Sequence, residues 1–318
     1  TKGVHVLVPR DRIGNFGAIT LISPIDGRVM FVLPEGDAHT VIGTTDTDYG
    51  GDPDEVRATV DDVTYLLRSA NSFFPTARLS MEDVVSAWAG LRPLASGDMS
   101  PDPSDATREH AISWTAPGLL TVTGGKLTTY RAMAADIVRE VMKHLGDVGR
   151  RRAPTDRVPL PGGVMASFDA ELDAARAAIG QQTLADHLVH TYGGEWTEVW
   201  ALAESDSRMA ERIAHPLPHI AAELEFAVER TMAITLSDLL IRRLRIAFLT
   251  RDHGRLAAPA VAALVAPMLG WNEAEAEHQL DRFARDVERI FTVDRGAADQ
   301  EGRRSFTPRS VPGIGGRG

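Results

Sequence analysis

The run Leu119-Leu120-Thr121-Val122-Thr123-Gly124-Gly125-Lys126-Leu127-Thr128-Thr129-Tyr130-Arg131 leaves the chain few options. A β-branched stretch ends in two glycines. The apolar residues that follow, Leu127, Tyr130, Met133, Ala134, Ile137, Val138 and Val141, recur at the three-to-four spacing of a helix face. The pattern predicts strand, tight turn, helix. Glycines at such a turn admit positive φ and let a ligand come close to the backbone, and the N–H groups that open the helix present partial positive charge. An anion or the negative edge of a cofactor suits that place, although a plain strand-to-helix turn with a surface lysine satisfies the same pattern. A nucleotide P-loop does not fit, because it needs glycine where Leu120 stands and Ser or Thr where Leu127 stands.

With 318 residues the chain exceeds one typical domain, so two compact units are expected. A net charge of −10 argues against a general nucleic-acid binder, and an anionic substrate would have to be held by local arginines. The absence of cysteine excludes disulfides, cysteine-ligated zinc and iron–sulfur clusters. No apolar run approaches the roughly 18 residues that span a bilayer, and no signal peptide opens the sequence. Membrane contact is therefore expected to be peripheral.

The first residues read as the middle of something longer: Val4 to Val8 alternates around His5 as a strand, with no initiator methionine and no turn before it. Apolar runs at Ala18 to Ile22, Val29 to Leu33 and Thr40 to Gly43, separated by Pro- and Gly-containing turns, predict an antiparallel meander. Asp46-x-Asp48-x-Gly50 hints at a calcium loop, but Arg57 occupies the place of the bidentate Glu and Pro53 interrupts the frame. A helix is expected over Asp54 to Asn71, a second short one near Ser80, and a strand over Ser86 to Leu94. Pro93 forces Arg92 into extended backbone, which holds its guanidinium more firmly than a helix end would. A loop-like stretch, Ala95 to Ala106, delivers Thr107-Arg108-Glu109-His110 into another alternating run that ends at Trp114.

Taken in order, Gly3-Val4-His5-Val6-Leu7-Val8-Pro9-Arg10, the Gly43-Thr44-Thr45-Asp46 turn, Ala89-Gly90-Leu91-Arg92-Pro93-Leu94, Arg108 in Thr-Arg-Glu-His, and the Gly124 to Arg131 segment closely resemble FAD-dependent glycerol-3-phosphate dehydrogenase, the quinone-linked respiratory form. Leu236-Ser237-Asp238-Leu239-Leu240-Ile241-Arg242-Arg243 is similar to that family's C-terminal helical domain, so the resemblance covers nearly the whole chain. It implies an α+β fold: an antiparallel substrate-binding sheet, the strand-helix return segment of an FAD-binding fold of the glutathione-reductase and amino-acid-oxidase kind, and an all-α C-terminal domain. The family's N-terminal Gly-x-Gly-x-x-Gly fingerprint is not found at the start of this chain. Gly313-x-Gly315-x-x-Gly318 matches it formally, with no strand before it and no helix after it. The expectation is a C-terminal portion that carries only part of the FAD site and is inactive alone.

On this reading residues 1–115 form the substrate-binding sheet region and 116–146 the strand-turn-helix. Residues 147–165 form an arginine-, proline- and glycine-rich linker, 166–293 the helical domain and 294–318 a disordered tail. Helices are expected at Phe168 to Ile179, Thr183 to Tyr192, Trp196 to Ala203, Ile220 to Met232, Thr235 to Phe248, Pro259 to Leu269 and Asn272 to Phe291, with Thr235 and Asn272 as N-caps. Arg242, Arg243 and Arg245 are either a solvated face or partners for acids of the neighbouring domain. His187 with His190, and His215 with His219, stand at helical spacing, but no Glu or third ligand accompanies either pair and Pro216 and Pro218 break the second, so no metal is expected.

Oxidising a secondary alcohol through a flavin needs a base, cations, and stabilisation of the reduced ring's negative charge. The resemblance implies that Arg92 and Lys126 lie near the reacting carbinol. His5 is the preferred base, since imidazole titrates near 6.5, and Arg108 is assigned to the substrate phosphate, where a planar fork binds two oxygens. Gly124, Gly125, Lys126, Leu127 and Thr128 would border the flavin. The implied reaction converts sn-glycerol 3-phosphate to dihydroxyacetone phosphate and sends electrons to a membrane quinone. The implied location is cytoplasmic, peripheral on the inner face of the cell membrane, with homodimerisation left open. The alternatives are a glycerol-3-phosphate oxidase that makes hydrogen peroxide and a non-catalytic helical interaction module.

Overall fold

The computed structural model describes residues 1–92, 110–146 and 154–296. Its first unit is a five-stranded antiparallel sheet of β1 (Lys2–Pro9), β2 (Ile19–Ile22), β3 (Val29–Glu35), β4 (His39–Gly43) and β5 (Ser86–Leu91), in the order β2-β3-β4-β1-β5. A short α1 (Arg10–Ile13) follows β1, and α2 (Val60–Phe73) packs across one face. Strand alternation decides which residues meet it: Val4, Val6 and Val8 of β1, Met30 and Val32 of β3, and Ile42 of β4 bury against Val63, Leu66, Leu67 and Ala70 of α2. Lys2 and Asp62, both buried, pair at 2.6 Å and fasten the helix to the first strand.

The helix expected from Asp54 starts later. Pro53–Glu55 makes one tight turn. Thr59 then caps α2 in a reciprocal box with Asp62, each side chain bonded to the other residue's backbone N–H. Ser80 opens the expected short helix as a single turn, Met81–Asp83.

The second unit is a hairpin, β6 (His110–Ala116) with β7 (Leu119–Gly124), followed through a turn at Leu127–Thr129 by α3 (Tyr130–His144). It forms its own two-stranded sheet, and the position expected to divide 1–115 from 116–146 falls inside it. None of the residues 110–146 is buried, and Leu127 is 88% exposed.

The third unit is helical: α4 (Phe168–Ile179), α5 (Gln182–Tyr192), α6 (Trp196–Ser205), α7 (Ala222–Thr231), α8 (Ile246–Leu249), α9 (Ala258–Leu269) and α10 (Glu273–Phe291). Ser167 and Asn272 cap α4 and α10 through side-chain oxygens. The expected continuous helix over Thr235 to Phe248 is broken. Thr235 does accept the Asp238 N–H at 3.0 Å, but Asp238–Arg243 is a wide turn with i to i+5 bonding, and Arg245 at φ +57° reverses the chain before α8. That reversal lets Arg245 reach Glu35 of β3 at 2.7 Å, while Arg242 pairs with Asp238 and Arg243 bonds Thr231.

The helical unit also grips the sheet directly. Ser86 Oγ donates to the Phe248 carbonyl at 2.7 Å, Arg251 to the Val84 carbonyl at 3.0 Å, and Asp294 pairs with the backbone on both sides of Thr59. Asp294, expected to begin the tail, is thus ordered against the sheet unit. Residues 297–318 lie outside the described residues, as does the 147–153 part of the expected linker.

Candidate functional site

One row crosses the five-stranded sheet through Thr20, Phe31, Gly43, His5 and Trp88. Because Val4 and Val6 take the face against α2, His5 between them is turned to the other face, where it is half-buried. Its ring stacks on Trp88 with centroids 5.6 Å apart, and Trp88 meets Phe248 of the helical unit edge-on at 5.0 Å. On the other side Gly43 leaves the room the imidazole occupies: a Cβ there would come within 2.8 Å of His5 Cγ and Nε2.

Gly3, two residues along β1 on the same face, clears space for Arg92 in the same way, since a Cβ would lie 2.9 Å from Nη2 of the guanidinium and 2.8 Å from Thr44 Oγ1. Arg92 directly follows β5, its backbone N–H donating to the Thr1 carbonyl at 2.8 Å. Its Nη1 bonds Asp46 Oδ1 at 2.6 Å, and its Nη2 reaches the Thr45 carbonyl at 3.3 Å and Thr44 Oγ1 at 3.4 Å. Arg28 donates to the Asp46 carbonyl, so the anchoring acid is itself tied to the turn before β3. Burial, reinforced by the Arg92 charge, pushes the His5 imidazole below its ordinary value. His5 is therefore neutral at pH 7, with a lone pair able to take a proton.

The remaining expected residues stand on the second unit. Gly124 and Gly125 have φ of +72° and +88°, the left-handed backbone that two consecutive side chains would strain. Met133 of α3 folds back over Gly125 into space that a Cβ would fill. Lys126, Leu127 and Thr128 are exposed at the approach to α3. The structure thus brings His5 and Arg92 together on one sheet and places Lys126 with its glycine turn on the other. Arg108 lies outside the described residues.

Sequence reasoning gave no role to Gly3, Asp46 or Trp88, and quoted Gly43 only as part of a turn. The available signal was glycine at same-face positions of two paired strands flanking one histidine. Beside this row the same face continues over Val29, Phe31 and Leu33 of β3, all exposed, as an open apolar floor.

A second cluster groups histidines that are not neighbours in sequence. The sequential pairs do not form: His190 bonds the Asp186 carbonyl and packs on Phe168, and His215 is exposed. One member of each pair, His187 and His219, meets instead, together with Glu223.

Comparison with known proteins matches both halves of the chain. Residues 1–131 match the family described as FAD dependent oxidoreductase, and residues 153–276 match the C-terminal domain of alpha-glycerophosphate oxidase. Glycerol-3-phosphate dehydrogenase 2 of Mycobacterium tuberculosis is 37% identical over 294 residues, covering 91% of this chain and 48% of that protein. The aerobic glycerol-3-phosphate dehydrogenase of Bacillus subtilis is 32% identical over 300 residues, covering 90% of this chain and 53% of its own length. Among solved structures, the glycerol-3-phosphate dehydrogenase of Bacillus halodurans complexed with FAD superimposes with a TM-score of 0.76 at 31% identity, over 91% of this chain and 56% of that one. The chain spans about half the length of the curated relatives it matches.

Proposed function

Because the chain belongs to the family of FAD-dependent glycerol-3-phosphate dehydrogenases, we propose that it forms the substrate side, and the flavin-ring edge, of an enzyme that oxidises sn-glycerol 3-phosphate to dihydroxyacetone phosphate. The observation that carries this reading is the neutral His5 beside Arg92 on an open sheet face, with Gly3 and Gly43 clearing the space around both.

The residues present fit a flavin. Positive-φ glycines at 124 and 125 permit close backbone approach, and the exposed start of α3 offers N–H groups to an electron-rich edge. When bound, FAD supplies the acceptor for a hydride. His5 takes the hydroxyl proton on a ring nitrogen as the carbinol is oxidised. Arg92 and Lys126 lower the cost of alkoxide character on the substrate oxygen. Arg108 holds the phosphate, and the residues from Lys126 to Thr128 would border the ring of a bound flavin and offer it positive charge. Asp46 positions Arg92 through Nη1, while the Thr44 hydroxyl and Thr45 carbonyl hold Nη2.

The relatives are about twice as long, and the unburied face of residues 110–146 is where a nucleotide-binding segment would pack. Electrons then pass to a membrane quinone. The proposed contact is peripheral, on the cytoplasmic face; among the described residues no helix is long and apolar enough to cross a membrane.

The test joins the chain to a nucleotide-binding segment of the family. The assembled protein should be yellow, bleach on anaerobic addition of glycerol 3-phosphate, and recover its colour with a soluble quinone. A colourless protein, or one that glycerol 3-phosphate does not bleach, would overturn the proposal. Recovery through oxygen with stoichiometric peroxide would replace the quinone step by an oxidase.

A further inference from the structure

We propose that His187, His219 and Glu223 form a binding site for one divalent transition ion of the zinc class, which ties α5 to the segment entering α7. The proposal is independent of the flavin reaction, because all three residues lie in the helical unit.

His187 is carried by α5. His219 and Glu223 are four residues apart across the start of α7. A ring nitrogen of each histidine and a carboxylate oxygen of Glu223 lie within 4.8 Å of one another. The two rings are 4.4 Å apart at their centroids. Glu223 is fully buried and His219 is 5% exposed, while the His187 side chain reaches the edge of the cluster at 13%.

The surroundings are organised as a metal site requires. Glu223 Oε1 accepts the Ile220 N–H at 2.8 Å, and Oε2 accepts the Tyr192 hydroxyl at 2.9 Å while facing His187 Nε2 at 2.9 Å. Outer partners of this kind fix the direction of a ligating carboxylate. His219 Nδ1 is the group without an explanation: it is buried and has no hydrogen-bond partner. One His219 ring nitrogen lies within reach of the other two ligands, so an ion seated among the three gives this buried ring a partner. Entry at His187 Nε2 moves that ring's proton to Nδ1, where Thr191 Oγ1 stands 3.4 Å away. Arg212, the neighbouring cation, turns its guanidinium to the Leu217 carbonyl and Gln181 Oε1.

Two imidazoles and one carboxylate are the donor set of a zinc-like ion with a fourth position for water. Calcium and magnesium, which take oxygen ligands, are poorly served by it.

The test uses the 318-residue chain, stripped with chelator. Zinc titrated by calorimetry should bind at one equivalent, and cobalt should give the visible bands of a tetrahedral site. His219→Ala and Glu223→Gln should abolish both signals. Because these changes sit in the core, His187→Gln at the cluster's edge provides the folded variant: with an unchanged far-ultraviolet circular dichroism spectrum it should lose at least tenfold in zinc affinity, whereas His190→Gln should retain it. Absence of stoichiometric uptake by the wild-type chain would overturn the proposal. So would undiminished uptake by a folded His187→Gln variant.

Discussion

Gly43→Ala tests the cleared space around His5 without needing any catalytic assay. The added methyl would come within 2.8 Å of His5 Cγ and Nε2, and closer still to Cδ2, on a strand pair whose register is fixed on both sides. The neighbour cannot rotate away freely, because its ring is stacked on Trp88. Overpacking of this kind costs about 1–3 kcal/mol. Replacing a strand glycine by alanine otherwise returns roughly 0.5–1 kcal/mol of chain entropy. The single variant should therefore lose about 1–2 kcal/mol in urea unfolding followed by far-ultraviolet circular dichroism. In a His5→Ala background the clash is removed, and the same change should be neutral or stabilising. The coupling energy of the cycle should be about 1–3 kcal/mol, within the range for residues in contact. An equal loss in both backgrounds would refute the reasoning and place the strain in the backbone rather than against the imidazole.

Three further outcomes are expected. In the assembled enzyme His5→Gln should slow flavin reduction in single-turnover measurements while flavin stays bound. Since burial and Arg92 lower the His5 pKa, the acidic limb of the wild-type rate should lie below that of an ordinary imidazole, and an unaltered acidic limb in the variant would move the role elsewhere. Arg108→Ala should raise KM for glycerol 3-phosphate and weaken its discrimination from glycerol by about 1.5–3 kcal/mol, the worth of a charge-assisted contact; unchanged discrimination would remove Arg108 from the site. The 318-residue chain alone should retain little FAD and self-associate through Leu127, Tyr130, Val138 and Met142, all exposed on one strand-helix unit, so that a yellow monomer in sedimentation and absorbance measurements would contradict both halves of that expectation.

Local signals were legible where a short pattern decides the structure by itself. The strand at Val4 to Val8, the meander, the glycine turn before α3 and the span Phe168–Ile179 all follow from alternation, turn residues or helical period. Boundaries moved where a cap competed with periodicity, as at Thr59, whose box with Asp62 outweighs the acidic residues that precede it. The break at Arg245 had no such signal. It is a tertiary effect, visible only once Glu35 and Phe248 lie beside its guanidinium. The meeting of His187 with His219 had no sequence signal for the same reason: sequence spacing compares neighbours on one helix, whereas these two come from separate segments that the fold brings together. The pairing of His5 with Arg92 could be anticipated from the family resemblance. The two glycines that make it sterically possible could be recognised only from strand register.

That register also explains why a helical unit accompanies this sheet. His5, Trp88, Phe248, Phe291 and His253 form a continuous run of ring contacts, with successive centroids 5.6, 5.0, 4.9 and 4.6 Å apart. Phe248 lies in α8 and Phe291 ends α10, so the last helices of the chain close the Trp88 side of the first strand. Arg245 reinforces the closure, placing its guanidinium 5.3 Å from the Phe248 ring while it pairs with Glu35. Across the row Gly43 carries no side chain, so the imidazole lies over it, and Phe31 beyond it is exposed on the same open face. A half-buried histidine needs both conditions to act as a base: one wall that fixes the ring and keeps it neutral, and one side from which a hydroxyl can reach it. In this chain Trp88, which stacks on the ring, is itself backed by Phe248 and Phe291, both more than 200 positions away from His5 in sequence, which makes the helical unit part of the site's geometry although none of its side chains is assigned to the chemistry.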